Sequence, residues 1–198
     1  MKLPGISILA ALALSFLFIG GCAVSPQQRT GLVTLNGQPI TLLGHPAKVG
    51  EKAPTFKAVA NNMTVFHFHP GRGKVWILSS VPSLDTPVCS LETRHFNLVA
   101  STLGKSVGII TISMDLPFAQ TRWCGASGAN QIRLLSDHRD AAFGTAYGVL
   151  IKEWRLLARA VFVVDRQGTL QHVELVPEVS REPDYEATLA AVAQLRPK

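Results

Sequence analysis

The period of the hydrophobic pattern changes several times along the chain, and each change marks an element. Residues 6–19 are almost uniformly apolar, interrupted only by Ser7 and Ser15. Val33-Thr34-Leu35 and Ile40-Thr41-Leu42 flank Asn36-Gly37-Gln38-Pro39. An Asn-Gly pair between two β-rich runs predicts a hairpin. A loop containing Gly44, Pro46, Gly50 and Pro54 follows. Residues 64–69 have strand character, and residues 74–81 and 107–112 are apolar runs that suit buried central strands.

Between those runs, residues 87–103 predict a helix. Pro87 fits its first turn, where an N–H would be unpaired anyway. Asp85 or Thr86 can cap it, and Gly104 can end it. Leu91, His95, Leu98 and Val99 share one of its faces. Residues 117–126 suit a short helix, 132–135 a strand and 140–147 another helix. Residues 160–164 and 169–176 flank Asp165-Arg166-Gln167-Gly168 as a second hairpin, and residues 184–195 form an amphipathic helix. The order is hairpin, then β-α-β-α-β-α-β-β-α. It predicts an α/β domain over residues 31–198, with a mixed central sheet flanked by helices and an N-terminal β-hairpin. A thioredoxin-like fold has this order. Residues 31–198 contain no repeat and no linker.

The N-terminal run reads as a targeting segment and is set apart from the fold. Lys2 precedes it and Ile19-Gly20-Gly21-Cys22 closes it. Small residues before a cysteine resemble a bacterial lipobox, where the chain is cut before the cysteine and the thiol is lipidated. The alternatives are a secretory peptide with an incidental cysteine, or an uncleaved anchor. The run is short for a span of about 20 residues. On the lipobox reading, residues 1–21 are a signal peptide, Cys22 carries lipid and residues 22–30 are a polar tether. Several acyl chains anchor stably where one binds only marginally. Ala23 follows the cysteine where no Asp stands. By resemblance to Gram-negative sorting rules, this favours the periplasmic side of the outer membrane over the inner one.

Composition adds limits rather than a function. Of 198 residues, 47% are hydrophobic and 16% charged, which is ordinary for one folded domain. The formal net charge is +6, without a run of five basic residues, a zinc-finger spacing or a recognition-helix pattern. Nucleic acid is therefore not expected as a partner. A basic domain near anionic lipid accounts for the charge.

The informative chemistry surrounds Cys89. It stands in the first turn of a predicted helix that follows a buried strand, where unpaired N–H groups favour a thiolate. Thr86 lies three residues before it and Pro82 seven before it. By position alone, Cys89 is equally well a packed structural cysteine. The surrounding motif changes that balance. Pro82, Thr86 and Cys89 form Pro-x-x-x-Thr-x-x-Cys, which resembles the active-site signature of the peroxiredoxins. The runs from Val81 to Cys89, with Glu92-Thr93, and from Asp115 to Gly125 resemble the bacterial thiol peroxidases, a branch of that family. So do Ala146-Tyr147-Gly148, Ala158-Arg159-Ala160-Val161 and Glu182-Pro183-Asp184-Tyr185-Glu186.

That resemblance implies a thiol-dependent peroxidase acting on hydrogen peroxide and organic hydroperoxides without a cofactor or metal. It implies that Cys89 is the peroxidatic cysteine and is oxidised to a sulfenic acid. Thr86 would then bond the thiolate and the peroxide, Arg159 would favour the thiolate and polarise the peroxide, and Pro82 would shape the pocket. Cys124 would resolve the sulfenic acid through an intrachain disulfide with Cys89. A static Cys89–Cys124 bridge is the alternative in an oxidising compartment. The family also implies a homodimer and a thioredoxin-like reductant. An envelope location puts the usual cytoplasmic donor out of reach.

Two other classes compete. A thiol–disulfide oxidoreductase is disfavoured because Cys89-Ser90-Leu91-Glu92 lacks the second cysteine of Cys-x-x-Cys. A non-enzymatic lipoprotein is disfavoured by the complete motif. His67 and His69 alternate on one strand and so face the same way, but no third ligand stands at a sensible spacing. Trp76, Trp123 and Trp154 read as packing residues.

Overall fold

The two apolar runs expected as central strands pair with each other in parallel. They are β5 (Val75–Ser80) and β6 (Val107–Ser113) in a computed structural model that describes residues 26–195. The remaining elements are β1 (Gln28–Leu35), β2 (Gln38–Leu43), β3 (Phe56–Ala60), β4 (Val65–Phe68), β7 (Arg133–Ser136), β8 (Leu150–Ile151), β9 (Ala160–Val164) and β10 (Leu170–Leu175). The helices are α1 (Pro87–Leu103), α2 (Pro117–Ser127), α3 (Ala142–Ala146) and α4 (Tyr185–Leu195). A seven-stranded mixed sheet runs β10-β9-β5-β6-β7-β3-β4, and β1-β2-β8 form a smaller sheet. This is the thioredoxin-like architecture that the element order predicts.

Alternation along the central strands builds two cores. Ile77, Ile109, Val161 and Val163 face α1 and α4, where they meet Phe96 and Val192. Leu78, Ile110, Ile112 and Phe162 face the opposite way, toward Phe143 and Tyr147 near α3. Both faces of the sheet are thus covered, and the central strands can be apolar at nearly every position.

The first hairpin forms as expected. Leu35 pairs with Gln38, and Asn36 and Gly37 both take positive φ (50° and 75°), which a two-residue hairpin turn requires. The expected tether at 22–30 is cut short, because β1 already begins at Gln28. Arg29 donates to the Gly148 carbonyl and ties this stretch to the domain. Residues 1–25, including Cys22 and the signal segment, lie outside the described residues.

Two further expectations need correction, and one strand was not expected. The α1 face shared by Leu91 and Leu98 is exposed, at 55% and 71%. The buried stripe is instead Cys89, Glu92, Thr93, Phe96 and Leu103. Its spacing is helical, but two polar residues within it hide it from a hydrophobicity reading. The helix expected at 140–147 is only five residues long. It starts after Ala141, which has a positive φ, and the Asp137 carboxylate accepts the Phe143 and Gly144 N–H groups. Strand β3, with the sequence FKAVA, has no counterpart among the expected strands, yet it pairs antiparallel with both β4 and β7.

Candidate active site

The end of β5 leads through Val81 and Pro82 into a loop that delivers Cys89 to the first turn of α1. Asp115, just beyond β6, holds this loop. Its carboxylate accepts from the Ser83 hydroxyl at 2.7 Å, the Leu84 N–H at 2.8 Å and the Ser113 hydroxyl at 2.8 Å. Thr86 is the N-cap residue and Pro87 follows at the first helical position. The Thr86 hydroxyl donates to the Ser83 carbonyl at 2.9 Å. Its one proton is thereby used, and its oxygen is left to accept from a ligand O–H.

Cys89 has no exposed surface, and Arg159 is 1% exposed. Arg159 reaches Cys89 from the residue before β9. Its Nη2 donates to the Cys89 sulfur at 3.3 Å, its Nε donates to the Val179 carbonyl at 3.0 Å, and its Nη1 pairs with Glu92. Glu92 also accepts from the Ser79 hydroxyl at 2.6 Å. Burial pushes the Glu92 carboxyl up to about 7, against the opposing pull of Arg159. Arg159 itself moves up, because Glu92 and Cys89 outweigh its desolvation. A chain Ser79–Glu92–Arg159–Cys89 therefore fixes a cation against the sulfur.

Pro82, Thr86 and Arg159 line one cavity of about 350 Å³, together with Val88, Trp154 and Leu156. Trp154, expected as a packing residue, is 48% exposed and forms part of this wall. The cavity is predominantly apolar, with the guanidinium as its charged group. Four of the five expected site residues thus converge: Cys89, Arg159, Thr86 and Pro82.

Cys124 lies apart from that cavity. It is half-buried on α2 beside a groove of about 470 Å³, and its sulfur accepts from Asn61 Nδ2 at 3.8 Å. Burial pushes the Cys124 thiol up, and the Asn61 amide acts the other way. Both cysteines are free, so the static bridge is not present in this structure. Trp123 packs with Cys89, Val81 and Leu84 in a cluster that Cys124 also touches. The two cysteines therefore border one apolar cluster on neighbouring helices.

The roles of Glu92, Ser79, Asp115 and Asn61 emerge only from the fold. Glu92 carried one readable signal, a carboxylate three residues after Cys89 and so on its helical face. His67 near the end of edge strand β4 and His69 just beyond it flank Phe68, with nearly parallel rings whose centroids lie 6.3 Å apart. Among the described residues, no group of three or more His, Cys, Asp or Glu side chains is placed to hold a metal.

Comparison with known proteins points to one family. The Redoxin family model matches residues 48–189. A thiol peroxidase of Oceanobacillus iheyensis is 54% identical over 158 residues, covering 80% of this chain and 96% of the relative. A thiol peroxidase of Bacillus subtilis is 48% identical over 163 residues, covering 82% and 97%. Among solved structures, a peroxiredoxin-like protein from Aquifex aeolicus superposes with a TM-score of 0.79 at 38% identity. That match covers 84% of this chain and 99% of the other.

Proposed function

Because the chain belongs to the bacterial thiol peroxidases of the Redoxin family, and so reduces peroxides at the expense of thiols, we propose that Cys89 is the peroxidatic residue and Cys124 the resolving one. The observation that carries this assignment is the 3.3 Å contact between Arg159 and the Cys89 sulfur at the N-terminus of α1. A fixed guanidinium and the first-turn N–H groups stabilise a thiolate and the negative charge that develops on a peroxide under attack. The thiolate attacks the terminal peroxide oxygen. An S–O bond forms, the O–O bond breaks, and the departing oxygen takes a proton to leave as an alcohol or water. Thr86 accepts from the peroxide O–H, and Pro82 keeps the sulfur away from bulk water. The Cys124 thiolate then attacks the Cys89 sulfenic acid. The S–S bond forms as hydroxide leaves and becomes water. A dithiol donor restores both thiols.

The largely apolar cavity favours hydroperoxides with a hydrocarbon body alongside hydrogen peroxide. Leu91 on α1 and Leu116 and Phe118 at the start of α2 are exposed apolar residues, which supports pairing of two copies through this end of the domain. The lipobox at Cys22 supports a lipid-anchored protein in the bacterial envelope, facing the periplasm at the outer membrane. Its reductant is then a thioredoxin-like domain on that side, fed across the inner membrane.

The test is peroxide consumption by the purified protein with a dithiol reductant. Cys89→Ser should lose all turnover, whereas Cys124→Ser should keep the first oxidation and accumulate sulfenic or sulfinic acid. Near-normal turnover by Cys89→Ser would remove the assignment. Cys22→Ala should shift the protein from the membrane pellet to the soluble fraction, and unchanged fractionation would remove the anchor.

A further inference from the structure

Asn61 is the first residue after β3, in the turn to β4. That turn is closed without its side chain: the Met63 N–H donates to the Ala60 carbonyl at 2.8 Å, and Asn62 Oδ1 accepts from the Thr64 hydroxyl at 2.7 Å. The Asn61 amide points instead across the groove to α2, where Nδ2 lies 3.8 Å from the Cys124 sulfur. Its Oδ1 is buried and has no partner. Burying one end of an amide without a hydrogen-bond partner costs free energy. Its one side-chain hydrogen bond among the described residues is to the Cys124 sulfur.

The groove contains one charged residue, Arg133 of β7, and its guanidinium lies over the Phe66 ring at 4.7 Å. Asn61 is thus the only side chain donating to the Cys124 sulfur among the described residues. Burial of Cys124 opposes ionisation, and a thiolate is what both of its chemical steps need.

We propose that Asn61 is a catalytic residue of the resolving half-reaction, its amide donating to the Cys124 sulfur so that the sulfur reacts as a thiolate. The inference rests on Cys124 being the resolving cysteine. In the forward step the Cys124 thiolate attacks the Cys89 sulfenic sulfur and hydroxide leaves. In the return step a donor thiolate attacks Cys124 and expels Cys89, whose departing sulfur meets the Arg159 guanidinium. The donor's second thiolate then attacks the donor's own sulfur in the mixed disulfide. Cys124 leaves as a thiolate, which the Asn61 N–H receives.

The experiment measures ionisation of Cys124 directly. In full-length protein carrying Cys89→Ser, the rate of Cys124 alkylation by iodoacetamide is followed across pH on the Cys124 peptide by mass spectrometry. Asn61→Ala removes the amide, and Asn61→Asp keeps its shape but not its N–H. Both should raise the midpoint by about half a unit or more, roughly a threefold loss of thiolate near neutral pH. With Cys89 intact, both should give more Cys89 sulfinic acid and less disulfide for the same dose of peroxide. A midpoint unmoved in both variants overturns the proposal, since a residue serving only to pack α2 would leave it unmoved. If the peroxide-treated parent forms its disulfide between cysteines other than Cys89 and Cys124, the assignment of Cys124 fails instead, a result distinct from an unmoved midpoint.

Discussion

Ser90 accepts a 3.0 Å hydrogen bond from the indole N–H of Trp123, so the residue after Cys89 is fastened to the residue before Cys124. Arg94 adds a cation over the same indole, 5.8 Å from its centroid. On the other side of Trp123, Gln120 is buried and donates to Ser113 Oγ and the Leu135 carbonyl, both at 3.0 Å. The first half of α2 is therefore pinned to the sheet. The second half, which carries Cys124, is held to α1 through the indole. The proposed Cys89–Cys124 disulfide is expected to form by loosening of that second half.

Ser90→Ala should make that loosening easier. It leaves a buried indole N–H without a partner, at a cost of about 1–3 kcal/mol to the closed arrangement. After a pulse of peroxide, the disulfide should form several-fold faster in rapid-quench mass spectrometry. An unchanged or slower rate would show that the Trp123 contact does not restrain α2.

How far the sequence reveals this site depends on distance along the chain and on residue type. Pro82, Thr86 and Cys89 share one continuous segment, so their motif was readable. Arg159 lies 70 residues from Cys89 in the chain, and only its flanking motif revealed it. Glu92 falls within a family match, but its role is hidden because a carboxylate in a buried stripe reads as a surface position. Asn61 was invisible for a different reason. The strand that delivers it, β3, contains Lys57, Ala58 and Ala60, whose β-preference is weak. Pairing with both neighbours, together with Phe56 packed on Phe68 and Phe143, overrides that preference. Likewise, the start of α3 is held by Asp137, whose carboxylate accepts from Phe143 and Gly144 and leaves no periodic signal.

Glu92→Gln should uncouple Arg159 from its anchor. The amide retains an acceptor for the guanidinium but loses the charge, so the cation is held less firmly against the sulfur. The second-order rate of Cys89 oxidation, measured by competition with a second peroxidase, should fall about tenfold or more, equivalent to roughly 1.4 kcal/mol of barrier. Glu92→Asp should recover part of it. An undiminished rate in Glu92→Gln would mean that Arg159 is positioned by the Val179 carbonyl and packing alone.

Asp137 gives stability a defined pH dependence. Burial pushes its carboxyl from the usual 3.8 up to about 6, despite the N–H groups of α3. The folded chain then holds this proton more tightly than the unfolded chain. Its contribution to stability is complete below about pH 4 and is lost as pH rises through about 6, by about 3 kcal/mol in total. Asp137→Asn lacks this contribution. In urea titrations, the variant should therefore gain stability relative to its parent between pH 4 and 6. Parallel stability curves would contradict the assignment.

Trp154 should govern the preference between peroxides. It forms one wall of the apolar cavity beside Pro82 and Arg159. Trp154→Ala should lower kcat/KM for cumene hydroperoxide about tenfold, in keeping with the loss of a large apolar contact. For hydrogen peroxide, which is too small to use that wall, the change should stay within about twofold. Equal losses for both substrates would show that Trp154 supports the site's structure rather than its selectivity.

The central claim is that Cys89 and Cys124 form one catalytic pair. Its most direct test is peptide mapping of the purified protein after one equivalent of peroxide, with free thiols trapped by alkylation. The account predicts a single intrachain disulfide between Cys89 and Cys124, which disappears on adding a dithiol and returns with each further equivalent of peroxide. A disulfide between any other pair, or a Cys89–Cys124 bridge that neither forms with peroxide nor opens with dithiol, would contradict it.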